Sequence, residues 1–224
     1  MKNSHPENSS YNNRQKERGS VLFYILIGVV LFAALSYTVS GMMRGGDATM
    51  ITEERSRLLA GEILDYARTM KQAAQQMRIS NGCQETNVRF INNQTAGYGA
   101  SVDTSCDIFV STGGDTNYIP PNNDYGSGTE WIFTGDNDVA GVGTTAPDLV
   151  MILQNLNASI CTEINNNTGV AAITNDADGV NYTKFTGTYS ASETIDIVGE
   201  FRAGCINDTT TGGNNIFYQV LLAR

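Results

Sequence analysis

Two acidic loops carry the side chains whose type and spacing best suit chemistry. One loop holds Asp136 and Asp138, and the other holds Asp176 and Asp178 just before a glycine. Calcium takes six to eight oxygen ligands, so oxygen-rich loops of this kind are candidate calcium sites. The complete spacing of a calcium loop is absent, and Asp and Asn are also ordinary turn residues. Both interpretations stay open, and no other metal or cofactor is expected.

Catalytic motifs are scarce in the rest of the chain. His5 is the single histidine, so a Ser-His-Asp triad or a metal site with histidine ligands is not expected. No G-x-S-x-G pattern occurs, and the stretch around Gly141 and Gly143 lacks the lysine of a phosphate-binding loop. Carboxylates are numerous, but no spacing singles out an acid and a base. We therefore expect a protein that is not an enzyme, the alternative being a hydrolase that uses Asp or Glu.

The chain has four cysteines, all in its last two thirds: Cys83, Cys106, Cys161 and Cys205. None forms a C-x-x-C pair, which disfavours a zinc ribbon or a thioredoxin-like motif. An even number in an oxidising compartment favours two disulfides. Of the three possible pairings, proximity favours Cys83–Cys106 and Cys161–Cys205. Buried free thiols are the alternative.

The charge is negative and unevenly spread. The chain has 14 Lys and Arg against 23 Asp and Glu, a net charge of −9. Residues 1–18 are net basic, whereas residues 81–224 hold four basic residues, the first being Arg89, against sixteen acidic ones. An acidic body lacks the basic face that neutralises phosphates, so no nucleic-acid partner is expected. A basic N-terminus before an acidic body is typical of an exported protein whose basic end stays cytoplasmic.

An uncharged, mostly apolar run covers residues 19–43, between Arg18 and Arg44. At ~1.5 Å per residue, such a helix spans a hydrocarbon core of about 30 Å. We expect a single-pass inner-membrane helix over residues 20–43, with the N-terminus cytoplasmic and the C-terminal domain periplasmic or on the cell surface. A buried core helix is one alternative. A cleaved secretory signal ending before Gly41 is another.

A second helical pattern follows the apolar run, over residues 44–82. Gly45-Gly46 predicts a joint or partial break, and Asn81-Gly82 ends the pattern. The apolar side chains expected on one broad face are Ile51, Leu58, Leu59, Ile63, Tyr66, Met70, Ala73, Ala74 and Met77. We expect the C-terminal half of this face to pack on the domain that follows.

Residues 83–224 have the composition of a β-rich domain tied by the disulfides. Short β-prone runs alternate with Asn-, Gly- and Thr-rich stretches. The candidate strands are residues 87–91, 107–111, 130–134, 149–153, 184–189, 194–201 and 216–222, and residues 157–164 form a candidate helix. Trp131, the only tryptophan, is expected in the core rather than on a ligand-stacking platform. The aromatic and proline-bearing loop containing Tyr118 and Tyr125 is either an ordered surface loop or an adhesive one.

The start of the apolar run carries a family resemblance. A basic leader ends in Arg18-Gly19, and Ser20 is followed by Val21, Leu22, Phe23, Tyr24, Ile25 and Leu26. This pattern resembles the N-terminus of type IV prepilins and pseudopilins. The resemblance implies cleavage after Gly19 by a prepilin peptidase, with Ser20 as the first mature residue. It also implies that residues 21–26 begin a helix that packs against other pilin-like subunits, and that residues 1–19 are a leader.

One position departs from the family pattern. Pilins typically carry Glu five residues after the cut, where it is thought to neutralise the amino terminus of a neighbouring subunit. Here that position is Tyr24, which carries no negative charge at neutral pH. A buried, unpaired ammonium is costly. The resemblance therefore implies a minor pilin or pseudopilin rather than a major one.

These observations predict an α+β fold. A long membrane-spanning and amphipathic N-terminal helix would pack on an antiparallel, β-rich globular domain. The predicted function is that of a non-enzymatic structural subunit of a type IV pilus or type II secretion apparatus. Its expected partners are other pilin-like subunits, the membrane and the prepilin peptidase. The alternative is a membrane-anchored periplasmic or surface binding protein that does not assemble into filaments.

Overall fold

The computed structural model describes residues 18–44, 48–190, 193–210 and 212–224, and it gives the side chains of the first helix over residues 21–37 and those of the second from Thr52 onward. The proposed Gly45-Gly46 joint and most of the leader lie outside the described residues. By its internal contacts the chain divides into two units, Met1–Ile51 and Thr52–Arg224.

Three helices and six strands make up the described chain. The helices are α1 (Arg18–Arg44), α2 (Ala48–Ser80) and α3 (Ala158–Thr168). The strands are β1 (Ile132–Val139), β2 (Asp148–Leu153), β3 (Asn175–Asp176), β4 (Glu193–Ile195), β5 (Ala203–Asp208) and β6 (Asn214–Leu222). Two 3₁₀ turns, at Glu85–Asn87 and Thr104–Cys106, lie between α2 and the first strand.

The six strands form one mixed sheet in the order β3-β5-β6-β2-β1-β4. The central pairs are antiparallel, whereas β3 pairs with β5 and β4 pairs with β1 in parallel. The two edge strands approach each other. The Asp196 backbone N–H, just after β4, donates to Asp176 Oδ2 in β3 at 3.2 Å. The sheet therefore curves into a nearly closed barrel.

Strand alternation builds a separate apolar cluster on each face of the sheet, because successive side chains point to opposite faces. Along β2, Val150 and Ile152 join the inner cluster, whereas Leu149, Met151 and Leu153 join the outer one. The inner cluster is almost wholly aliphatic. The outer cluster is larger, is rich in aromatic rings and includes the buried stripe of α2. Both faces of β2 are thus removed from water.

Helix α2 covers the outer face through side chains spaced three and four residues apart, as one face of a helix requires. The stripe consists of Leu59, Ala60, Ile63, Leu64, Ala67, Met70, Ala73, Ala74 and Met77. Leu58, expected in the stripe, is instead 71% exposed. Its position one residue before Leu59 turns it about 100° away from the covered face.

The predicted fold class is corrected on two points. The domain is not an antiparallel β-rich layer, because both edges of the barrel-like sheet pair in parallel. The long helix with a membrane-spanning half is also corrected. Among the described residues, no helix is long and apolar enough to form the predicted membrane-spanning half.

The predicted localisation is corrected by the same finding. Among the residues that the structure describes, no helix is long and apolar enough to cross a membrane. The single-pass inner-membrane anchor over residues 20–43, and the topology derived from it, are therefore wrong.

Several predicted strands also differ from those observed. Residues 87–91 and 107–111 share only an isolated bridge between Arg89 and Asp107. The run at 184–189 forms no strand, although the Phe185 backbone N–H donates to the Phe133 carbonyl at 2.8 Å. Strand β5 was not predicted, since its Ala-Gly-Cys-Ile-Asn-Asp sequence has few residues of high β propensity.

Candidate functional site

The residues predicted to pack against other subunits lie at the start of α1. Gly19 and Ser20 belong to its first turn. The next six residues, Val21, Leu22, Phe23, Tyr24, Ile25 and Leu26, are between 57% and 69% exposed. Since each residue advances about 100° around a helix, six consecutive side chains point in every direction. This part of α1 is therefore apolar on all sides, and its side chains lie open.

A gap in the side chains interrupts this apolar surface at Gly28. A Cβ atom added there would meet nothing within 4 Å. Small residues let the backbones of two helices approach closely. Gly28 thus leaves room on α1 for a second helix.

Both cysteine pairs favoured by proximity are present as disulfides. Cys83–Cys106 joins the chain just after α2 to the second 3₁₀ turn, with 5.7 Å between the Cα atoms. Cys161–Cys205 joins α3 to β5, with 5.4 Å between the Cα atoms. The second bridge is reinforced by Asn165, whose side-chain amide donates to the Cys205 carbonyl at 2.9 Å and whose Oδ1 accepts from the Cys205 N–H at 2.7 Å.

The four aspartates considered for calcium do not share a common centre, and two of them bind backbone N–H groups instead. Asp176 Oδ1 accepts from the Gly179 N–H at 2.9 Å, a turn contact, while its Oδ2 holds the two edge strands together. Asp136 accepts from the Ser190 N–H at 3.1 Å. Asp178 is exposed. Within the described residues, no three His, Cys, Asp or Glu side chains are grouped to hold a metal ion.

Asp138 is the exception among these four. Its Oδ1 is buried and has no hydrogen-bond partner among the described residues. Asp138 lies on β1 near Asp148, the first residue of β2, and each negative charge disfavours the other. Burial, opposed in part by the N–H groups of Arg224 and Val139, raises the pKa of Asp148 to about 6.

A cleft of about 630 Å³ opens between α2 and the chain that precedes β1. We call it the α2 cleft. On one wall α2 presents Glu62, Asp65 and Tyr66, which fall on one helical face because they are three and four residues apart. The opposite wall is the loop with Asp115, Ile119 and Pro120, and the buried rings of Tyr125 and Trp131 complete the lining.

Hydrogen bonds fix the aromatic rings of the α2 cleft. The Tyr66 hydroxyl accepts from the Ile119 N–H at 3.2 Å and donates to the Asn117 carbonyl at 3.4 Å. Trp131 Nε1 donates to the Ile119 carbonyl at 2.8 Å. The Tyr66 and Trp131 rings lie 5.2 Å apart between centroids. These contacts join α2, the loop and the start of β1 into one preformed wall.

No protein-family model, curated protein or solved structure matches this chain. The roles of α1 and of the α2 cleft therefore have to be argued from their own chemistry.

Sequence reasoning found part of the α2 cleft. The loop around Tyr125 was noted as aromatic, and Trp131 was expected in the core, where it is 2% exposed. Glu62, Asp65 and Asp115 were missed. Asp115 is about fifty positions from Tyr66 in the sequence, and no local pattern brings the two together. The helical spacing of Glu62 and Tyr66 was the one signal available.

Proposed function

We propose that this chain is a non-enzymatic, pilin-like structural subunit, a minor pilin or pseudopilin of a type IV pilus or type II secretion apparatus. In this role α1 packs against the corresponding helices of other pilin-like subunits. The residues of the leader and of α1 support the proposal through their resemblance to prepilins, and the exposed apolar surface of α1 carries it.

The surface of α1 requires partners on more than one side. A helix that is apolar all round is buried in its working state. A single partner helix covers only one stripe, whereas residues 21–26 expose apolar side chains in every direction. A bundle of like helices covers all of them, and Gly28 offers a point of close approach.

Tyr24 fits a minor rather than a major subunit. It stands where pilins typically carry Glu, so this position has no carboxylate to supply a counter-charge to the amino terminus of a neighbour. A subunit at the end of a filament has fewer neighbouring subunits whose amino-terminal charge it would have to neutralise. Processing after Gly19 by a prepilin peptidase, leaving Ser20 first, is part of the same proposal.

Cross-linking in the native cells tests the proposal. The full chain, carrying an affinity tag at its C-terminus, is compared with a Leu26→Asp/Val30→Asp variant, because these side chains are one turn apart on α1. Leu58→Asp is the matched control, since Leu58 is also an apolar residue more than half exposed, but on α2. Cross-linked partners and the N-terminal residue are identified by mass spectrometry.

We expect the wild type and Leu58→Asp to cross-link to chains that have a basic leader ending in Gly followed by an apolar helix. The α1 variant should lose these partners. The mature chain should begin at Ser20. A chain that begins at Met1, or cross-links that survive in the α1 variant as in the control, would overturn the proposal.

A further inference from the structure

We propose that the α2 cleft binds a guanidinium or ammonium head group carried on a short hydrocarbon stem. The arrangement that points to this ligand is an acidic rim, made by Glu62, Asp65 and Asp115, above apolar and aromatic walls. The inference concerns residues of the Thr52–Arg224 unit and does not depend on how α1 assembles.

The size and build of the α2 cleft suit a small ligand or a single side chain. Its volume of about 630 Å³ lies within the ~300–1,000 Å³ typical of ligand sites. The Tyr66 hydroxyl and Trp131 Nε1 are both bonded to the Ile119 backbone, so the wall is already in place before a ligand enters. A preformed site saves the cost of ordering on binding.

The charges on the rim favour a cation. The residues that line the α2 cleft all belong to the described part of the Thr52–Arg224 unit, and none of them is Lys or Arg. Asp65 is partly neutralised by Arg68, 3.0 Å away, on the exposed side of α2. No described group forms a hydrogen bond or ion pair with the Asp115 carboxylate. Glu62 Oε2 accepts from the Tyr125 hydroxyl at 3.1 Å, which leaves its other oxygen available.

The aromatic walls add a second attraction for the same ligand. A cation near the face of a Tyr ring is attracted by the ring quadrupole, by about 0.5–1 kcal/mol at exposed sites. Burial raises the pKa of Tyr66 to about 12, so its ring stays a neutral phenol at ordinary pH. The hydrocarbon stem of the ligand would lie against Ile119 and Pro120. The acidic rim would repel an anion. A purely apolar ligand would displace water from the rim carboxylates without offering them hydrogen bonds in return.

Trp131 provides the measurement, because it is the only tryptophan in the chain and it lines the α2 cleft. The full chain is titrated with Nα-acetyl-arginine methylamide while its tryptophan fluorescence is recorded, with calorimetry as a second readout. The matched neutral probe is the citrulline analogue, which has the same shape without the charge. A third probe, acetyl-Gly-Arg-Gly-amide, distinguishes two sources of the cation. If the natural ligand is a side chain on a peptide, this probe should bind more tightly than Nα-acetyl-arginine methylamide. If the natural ligand is a free small cation, the two arginine probes should bind equally.

We expect saturable binding of the arginine probe, and at least fivefold weaker binding of the citrulline probe. Glu62→Gln and Asp115→Asn should each weaken binding about two- to fivefold, the size of an exposed ion pair. Glu54→Gln, which removes an exposed carboxylate elsewhere on α2, should change nothing. The proposal is overturned by a response that does not saturate, by equal binding of the citrulline probe, or by an equal loss in Glu54→Gln.

Discussion

Helices α1 and α2 are consecutive in the chain and place their apolar side chains in opposite environments. In α2 the apolar residues recur every three or four positions and are buried on the outer face of the sheet. In α1 they are continuous around the helix, and those at residues 21–26 are exposed. A one-sided stripe is satisfied by one layer of protein, whereas an all-round apolar surface is not.

This difference separates stability from assembly. The free energy of unfolding of the Thr52–Arg224 unit should depend on the stripe of α2, because that stripe shares a continuous core with the sheet. The side chains of α1 should matter for association with other subunits. Substitutions of the same chemistry in the two helices therefore have different expected effects.

The largest effect is expected from a charge placed in the stripe of α2. Ile63 is fully buried, so Ile63→Asp leaves an unpaired carboxylate in the core and should cost about 4–5 kcal/mol, the upper part of the range typical of such changes. Denaturant unfolding of the full chain measures the cost. Leu58→Asp, on the exposed side of the same helix, should change the stability by less than about 0.5 kcal/mol. Equal losses in the two variants would show that the stripe does not define the core.

The next largest effect is expected from the disulfides that tie the layers around α2. Replacing Cys161 and Cys205 by Ser removes a link between residues 44 positions apart, for which the chain-entropy model gives about 4 kcal/mol. Replacing Cys83 and Cys106 by Ser removes a link between residues 23 positions apart, for which the same model gives about 3.4 kcal/mol. The melting temperatures of both variants test the order. A larger loss at Cys83–Cys106 would contradict it.

The parts of the fold that were predictable are those set by local pattern. The three-and-four spacing from Leu59 to Met77 marked α2, and apolar runs marked β2 and the end of β6. Proximity favoured the two cysteine pairs that the structure contains. The parallel pairing at both sheet edges was not predictable. β3 has two residues and was not predicted as a strand, and the candidate strand at residues 194–201, which overlaps the three-residue β4, did not indicate its partner or its direction.

The candidate sites divide in the same way. The apolar surface of α1 is continuous in sequence and was predicted as a packing surface, although its assignment to a membrane was wrong. The α2 cleft needs Glu62 and Asp115 on opposite walls, and only the tertiary fold brings them together. Asp176 was considered a calcium ligand because carboxylates in turns bind either metal or backbone N–H groups, and sequence does not distinguish the two.

A third prediction concerns how the stability of the sheet that α2 covers depends on pH. Burial raises the pKa of Asp148 to about 6, above its unfolded value. The folded state therefore holds this proton more tightly. The contribution of this proton to the free energy of unfolding is fully present below about pH 4 and is lost as the pH rises through about 6. The total loss is about 2–3 kcal/mol. We expect the melting temperature to rise when the pH is lowered from 7.5 to 5.

Asp148→Asn tests the assignment because the amide cannot ionise. The variant should show a flatter dependence of melting temperature on pH between 5 and 7.5. Asp178→Asn, at an exposed carboxylate in the same unit, should keep the wild-type slope. If Asp148→Asn also keeps that slope, another carboxylate whose pKa is raised by partial burial, such as that of Asp138, is responsible.

The smallest effect is expected where the surface is most apolar. Leu26→Asp/Val30→Asp places two charges on α1, where the wild-type side chains are already more than half exposed. A charge that remains in water costs little, so the unfolding free energy of the Thr52–Arg224 unit should change by less than about 0.5 kcal/mol. Denaturant unfolding monitored by Trp131, which lies in that unit, makes the measurement at low protein concentration. A loss as large as that of Ile63→Asp would mean that α1 belongs to the core of the monomer, and the separation of assembly from stability would then fail.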